Sequence, residues 1–315
     1  MQKLSTSTAH PPGAALTLFA NPIAGRGRGE SIARRLIDRL VHEGFTPHLF
    51  LERPDTIARE TLTPQGVATV VIGGDGTLRA VIERFYMTGS NLPPLLVVPL
   101  GTANLMGKHL GMKWNNRNVE DVVINALRAA RVIQMDCASA NGHPLIVMAG
   151  IGFDADVVQE VARRRRGPIR YLSYVIPTLL TFANYTFPEI EVVIDDQHAF
   201  GPAPGLAFVG NIREYGTGFA VLPQALGDDQ LLDVCVLPCA GKTDLVKWAA
   251  LAATGFHPTA KGVVYRKAKR VRITSPSGAP VQVDGEDAGT TPLDIQLLPH
   301  AVPFVLPAGQ MRGEQ

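Results

Sequence analysis

Over residues 16–98, short apolar runs alternate with longer segments in which apolar positions recur every three or four residues, the pattern of βαβ units around a parallel sheet. Residues 16–20 read as a strand. Ile32, Leu36 and Leu40 recur at one-turn spacing beside Ala33, Ile37 and Val41, which predicts a helix with one face on a core. Strands are expected over 48–51, 68–72 and 95–99, with a helix over 78–86 before the last. After about Met135 the pattern shortens. Apolar runs at 191–194, 206–209, 231–237, 263–266 and 271–274, each bounded by turn residues, predict a mainly antiparallel second half of two packed sheets. Helices are expected within it over 154–163, 171–183 and 242–253. The organisation expected is therefore a loose tail over 1–14, an α/β nucleotide domain over 15–135 and a β-rich domain over 136–297. Residues 298–315 are open to completing the first domain, and the strand pattern at 302–306 suits either half.

Three strand ends carry loops suited to phosphate. The buried-type strand at 68–72 runs into Gly73-Gly74-Asp75-Gly76-Thr77 and then a helix. Glycines allow close backbone approach and positive φ, and the N–H groups at a helix start complement an anion. Asp75 is then a candidate for magnesium and Thr77 for a phosphate oxygen. The same residues are open to a plainer reading, a tight strand-to-helix turn with Asp75 or Thr77 as cap. Repetition of the design favours phosphate, because Asn21-Pro22-Ile23-Ala24-Gly25-Arg26 follows the first strand and Pro99-Leu100-Gly101-Thr102-Ala103-Asn104 the fourth. Ligands of open parallel sheets bind beyond the carboxyl ends of the strands, where three such loops converge. None of the three is a Walker A or a spaced dinucleotide fingerprint.

These three elements, in this order and spacing, resemble the catalytic domain of the diacylglycerol and sphingosine kinases. Gly-Gly-Asp-Gly-Thr alone is less specific, since NAD kinases and phosphofructokinases carry similar turns. The resemblance extends through Asp136 before Asn141-Gly142, Gly150-Ile151-Gly152-Phe153-Asp154-Ala155, Asp228-Asp229 and Val283-Asp284-Gly285-Glu286, spanning about residues 16–306. It implies a Rossmann-like, NAD-kinase-like α/β nucleotide domain, a β-sandwich-type domain and an active site in the cleft between them. It further implies ATP held by Asn21, Arg26, Gly73, Gly74, Gly76, Thr77, Gly101 and Thr102, with Asp75 at the phosphates beside Mg2+. Asp284 matches the family's general base, with Glu286 in support. Asp-Gly before charged residues is also a common surface hairpin. Asp229, with the carbonyls of Leu226 and Leu231, matches a structural magnesium site that Asp136 joins through water. Two departures stand out: Leu105 where many members carry Asp, and Gln230 in place of the usual Gly.

Composition adds limits. A net charge of +2 over 315 residues excludes a general nucleic-acid binder. Cys137, Cys235 and Cys239 have no zinc spacing and suit a reducing compartment. Residues 1–13 do not read as a secretory signal, and no apolar run reaches bilayer length. A cytoplasmic enzyme, peripheral at the inner face of the membrane, is expected. The apolar segment 171–187 follows the arginines at 163–166 and Arg170; it suits an acyl-chain entrance, a segment resting on the bilayer with the arginines toward anionic headgroups, or an ordinary buried helix with a solvated basic start. The acceptor implied is a membrane lipid, diacylglycerol first. The rival readings are a kinase of a soluble substrate such as NAD and a non-catalytic nucleotide- or lipid-binding regulator. A sheet edge in the second half leaves a homodimer open.

Overall fold

A computed structural model describes residues 13–58, 66–89, 91–114, 118–164, 175–215 and 219–307. The expected tail falls almost wholly outside these, as do Arg165, Arg166, Arg170 and the start of the apolar segment at 171–174. The chain divides into two compact units, Met1–Met135 with Ala301–Gln315, and Asp136–His300.

The first unit is built on β1 (Ala15–Ala20), β2 (Thr46–Phe50), β3 (Ala68–Gly73) and β4 (Leu95–Pro99), all parallel in the order β2-β1-β3-β4. β3 is buried at every position, as expected of a central parallel strand covered on both faces. The last residues of β15 (Leu293–Val305) extend this sheet, Phe304 lying parallel to Leu95; this places the strand that the sequence left open. Two helices share the core. α2 (Gly29–His42) buries Ile32, Ala33, Leu36 and Leu40, the stripe read from its spacing, and α3 (Asp75–Thr88) buries Leu78, Val81, Ile82 and Phe85. A third, α5 (Val119–Ala129), buries Val123, Ile124 and Leu127 at the same period and was not anticipated.

The second unit is a sandwich of two antiparallel layers that share one long strand. β9 (Gln197–Gly210) pairs with β8 (Glu189–Ile194) along its first half, and with β7 (Met148–Ile151) and β10 (Leu232–Pro238) along its second. β12 (Arg270–Thr274) and the start of β15 extend one layer; β11 (Val264–Ala268), β13 (Pro280–Val283) and β14 (Glu286–Thr290) extend the other. The inward positions, among them Ile151, Val192, Val209, Val234, Ile273, Val281 and Ile295, form one apolar core. Three two-residue hairpins close strand pairs: Asn141-Gly142 between β5 (Val132–Ala140) and β6 (His143–Leu145), Asp195-Asp196, and Asp284-Gly285. Both turn residues have positive φ in each, which is why Asn, Asp and Gly occupy them. The three cysteines are buried and form no disulfide.

Two helices of this unit are apolar on the outside. α7 (Val175–Asn184) packs on α6 (Phe153–Arg164), yet buries only Pro177 and Thr181 while Ile176 and Leu179 are 62% and 64% exposed. This corrects the buried-helix alternative for the segment. α8 (Lys242–Thr254) buries Leu245, Trp248 and Ala252 and exposes Val246.

Candidate active site

Beyond the carboxyl ends of β1, β3 and β4, the three glycine loops are joined to one another. Asn21 N–H donates to the Ile72 carbonyl at 3.0 Å, Leu100 N–H to Gly73 O at 2.7 Å, and Gly25 N–H to Leu100 O at 3.0 Å. The Asn21 side-chain amide donates to Thr77 Oγ1 at 3.4 Å. Gly74 and Gly101 lie back to back: a Cβ on Gly101 falls 2.6 Å from the Gly74 Cα and 2.8 Å from Asn104 Oδ1, so no larger residue fits without moving backbone. Within the third loop, Asn104 Oδ1 accepts the Gly101 N–H at 2.7 Å and its amide returns a bond to Gly101 O at 2.8 Å. All eight residues expected around ATP thus lie on joined loops.

The first loop has an unusual backbone. Within the single turn α1 (Ala24–Gly27), Gly25 and Arg26 are left-handed (φ 60° and 63°), and Gly27 follows at 82°. A non-glycine residue pays for that conformation, and such strain concentrates at ligand-binding loops.

Asp75 is used differently from expectation. Its carboxylate turns to the start of α4 (Leu105–His109), where Oδ2 accepts the Leu105 N–H at 2.9 Å and Oδ1 the Met106 N–H at 3.1 Å. Burial raises its pKa, opposed by those two bonds and by the Lys108 charge. The residue binds the second loop to the third, and the place where many family members carry a carboxylate supplies, as Leu105, a backbone donor. Sequence reasoning missed a neighbouring cavity of about 310 Å³ lined by Pro99, Asn104, Lys108, Met112, Lys113 and Trp114. Two ammonium groups and an indole beside the third loop suit an anionic, planar ligand. The only advance signal was Lys108, one helical turn after Asn104.

In the second unit, Asp284 begins the β13–β14 hairpin. Its Oδ1 accepts the Val147 and Met148 N–H groups at 2.8 and 3.0 Å, and Oδ2 that of Ile146 at 3.0 Å. The other hairpins are built alike: Asp195 Oδ1 accepts Lys269 and Arg270 N–H, and Asn141 binds Asp294 and Pro292. The surface-hairpin reading is therefore realised, and the carboxylate is held in one orientation. Gln282, fully buried in β13, links the turn to the next motif, since its Oε1 accepts the Gly285 N–H at 2.8 Å and its Nε2 donates to Asp154 Oδ2 at 3.2 Å. Burial pushes the Asp154 carboxyl up to about 6 against bonds from Gln282, Ala155 and Tyr215. Glu286 is exposed on β14.

The residues expected to hold a structural magnesium do not fit it in this chain. Lys267 ion-pairs with Asp229 Oδ2 and lies 3.4 Å from Asp233 Oδ2, the buried residue directly opposite it in the β10–β11 ladder. Asp229 Oδ1 takes the Leu231 N–H at 3.2 Å, and Tyr265 donates to Asp233 Oδ1 at 2.8 Å. Burial works against the Lys267 ammonium, but the two carboxylates outweigh it and its pKa is raised. Asp136, buried, spends one oxygen on His300 N–H (2.8 Å) and the other on Gln230 N–H (2.7 Å). A protein cation thus pairs with the Asp229 carboxylate that was expected to bind a metal. Among the described residues, no three His, Cys, Asp or Glu side chains are grouped to hold an ion.

Known proteins match this arrangement over nearly the whole chain. Residues 15–140 match the diacylglycerol kinase catalytic domain, and residues 146–306 the YegS C-terminal NAD kinase beta sandwich-like domain. A diacylglycerol kinase of Mycobacterium tuberculosis is 28% identical over 301 residues, covering 93% of this chain and 95% of its own. One from Bacillus subtilis is 26% identical over 296 residues, covering 92% and 95%. The crystal structure of a diacylglycerol kinase from Bacillus anthracis has the same fold, with a TM-score of 0.69 at 20% identity over 95% of this chain and 98% of that one. With its joined glycine loops on a parallel sheet followed by a sandwich, the chain belongs to the diacylglycerol kinase family of lipid kinases.

Proposed function

We propose that the chain transfers the γ-phosphoryl group of ATP to a lipid hydroxyl, with diacylglycerol as acceptor and phosphatidate and ADP as products. The observation that carries this reading is the mutual joining of the three loops around Gly74 and Gly101, which gathers backbone N–H groups, Arg26 and Lys108 on one unit. Phosphoryl transfer asks little covalent chemistry of a protein; it asks for positioning and for neutralisation of charge spread over the phosphate oxygens. The first two loops and the start of α3 would hold the phosphates, with Thr77 and Asn21 supplying side-chain donors. Magnesium would arrive bound to ATP as part of the substrate.

The acceptor hydroxyl must lose its proton, and the candidate base is Asp284, with Glu286 in support. Its support is its place in the ordered motif and the three N–H groups that fix its orientation. The enzyme would act on lipid in a membrane while carrying no described helix long and apolar enough to cross one.

The acceptor is tested with labelled ATP and mixed micelles carrying diacylglycerol, a sphingoid base, ceramide or phosphatidylglycerol, with NAD in a parallel tube. Label recovered in phosphatidate supports the assignment. Label in another lipid moves the substrate, and label in NAD moves the protein to the soluble kinases.

A further inference from the structure

The outer surface of the second unit carries a second feature that the phosphoryl-transfer reading does not use. α7 has its polarity inverted: the positions it buries are Pro177 and Thr181, and those it exposes are Val175, Ile176, Leu179 and Leu180. A helix whose large apolar side chains face outward is unfavourable in water unless something covers them. α8 continues the pattern. Lys242, Val246, Ala250 and Ala253 follow one another at helical spacing on an exposed stripe beside the buried one of Leu245, Trp248 and Ala252, and Phe256 just past the helix end is 67% exposed. The two helices meet at their ends, where Lys242 Nζ donates to the Ala183 carbonyl at 2.8 Å and lies over the Phe182 ring.

We propose that α7, α8 and Phe256 together form the face by which this unit rests on an anionic lipid bilayer. The proposal deepens the lipid-kinase reading and rests on it for its purpose. Charge selects the occupant. Lys242 lies over Phe182, Lys247 stands on α8 and Lys261 is exposed five positions past Phe256, whereas the sole carboxylate on either helix, Asp244, is turned back to cap the Ala240 N–H at 2.9 Å. Apolar side chains accompanied by lysines match the acyl boundary and the headgroups of an anionic leaflet at once. A second copy is the poorer partner, because a two-fold contact through this face would set lysine against lysine with no outward carboxylate on either helix to answer them. Val246 and Phe256 lie some sixty and seventy positions beyond α7 in the sequence, so nothing in the local pattern of 171–187 announces them.

The test is flotation of the full chain with vesicles of phosphatidylcholine containing about one third phosphatidylglycerol, and with phosphatidylcholine alone, for wild type and two double variants. One variant is Ile176→Glu with Leu179→Glu; the other is Val246→Glu with Phe256→Glu. All four residues are exposed, so the substitutions leave the core unchanged. The expected result is salt-sensitive binding of wild type to anionic vesicles only, a roughly tenfold loss in each variant, and unchanged ATP affinity. Variants that float like wild type overturn the proposal. So does a wild type that ignores vesicles but forms a dimer in the ultracentrifuge that the variants lose. If a Glu variant melts several degrees lower, Leu179→Ser and Phe256→Ser decide the matter by the same readout. Wild type that floats with anionic vesicles yet phosphorylates no lipid supports the docking face and removes the kinase reading.

Discussion

Asp75 and Leu105 stand thirty positions apart, and the Asp75 carboxylate accepts the Leu105 N–H at 2.9 Å and that of Met106 beside it at 3.1 Å. An acidic residue read from the sequence as a metal ligand is thus also the tie between two of the glycine loops. Asp75→Ala strands two donors at the start of α4, at a cost of about 1–3 kcal/mol for each one left unsatisfied, while Asp75→Asn keeps one acceptor. The expected order of melting temperature is wild type, then Asn, then Ala, with ATP affinity falling in parallel in a calorimetric titration. Equal melting of all three denies the tie.

Gly101→Ala tests whether the loops must touch. The new methyl group would sit 2.6 Å from the Gly74 Cα, so backbone has to yield. Overpacking of this kind costs about 1–3 kcal/mol, and a displaced loop weakens ATP binding more than tenfold. Unaltered affinity would mean that the approach of Gly74 to Gly101 is incidental to the nucleotide.

Asp154 gives a pH signature. Its folded pKa of about 6 lies above the ordinary carboxyl value near 4, so between those pH values the folded chain holds a proton that the unfolded chain has lost. Stability from this group is therefore greatest below about pH 4, falls as pH rises to about 6 and is level above. Asp154→Asn removes that dependence. The free energy of unfolding of the variant relative to wild type should rise by on the order of 2–3 kcal/mol between pH 4 and pH 7, measured by denaturant titration. A difference that is flat with pH contradicts the assignment.

Lys267→Met leaves Asp229 and the buried Asp233 without their cation, a loss of about 1–3 kcal/mol for an acceptor left unsatisfied. Wild type without ATP should melt alike in chelator and in magnesium, whereas the variant should recover part of its loss when magnesium is added. Magnesium stabilisation of wild type that Asp229→Asn abolishes would restore the metal site to this loop.

Much of this was legible in the sequence where the signal is local. The stripe Ile32, Leu36, Leu40 gave α2, and the order of the three loops announced a shared site because a parallel sheet brings its strand ends together. What was not legible depends on distant partners. Lys267 reaches Asp229 only because β10 and β11 pair with Asp233 opposite Lys267. The hidden work of Asp75 and Asp284, each holding backbone N–H groups far along the chain, likewise has no trace in their own neighbourhoods. The outward face of α7 was ambiguous because apolar residues at helical spacing do not say which side is covered.

The central claim is tested most directly by following γ-labelled phosphate from ATP into diacylglycerol micelles with wild type and Asp284→Asn, while measuring ATP binding and melting of both. The account predicts label in phosphatidate with wild type, and with the variant a rate lower by orders of magnitude at nearly unchanged ATP affinity. No label in any lipid, from a wild-type chain shown to bind ATP, would contradict it.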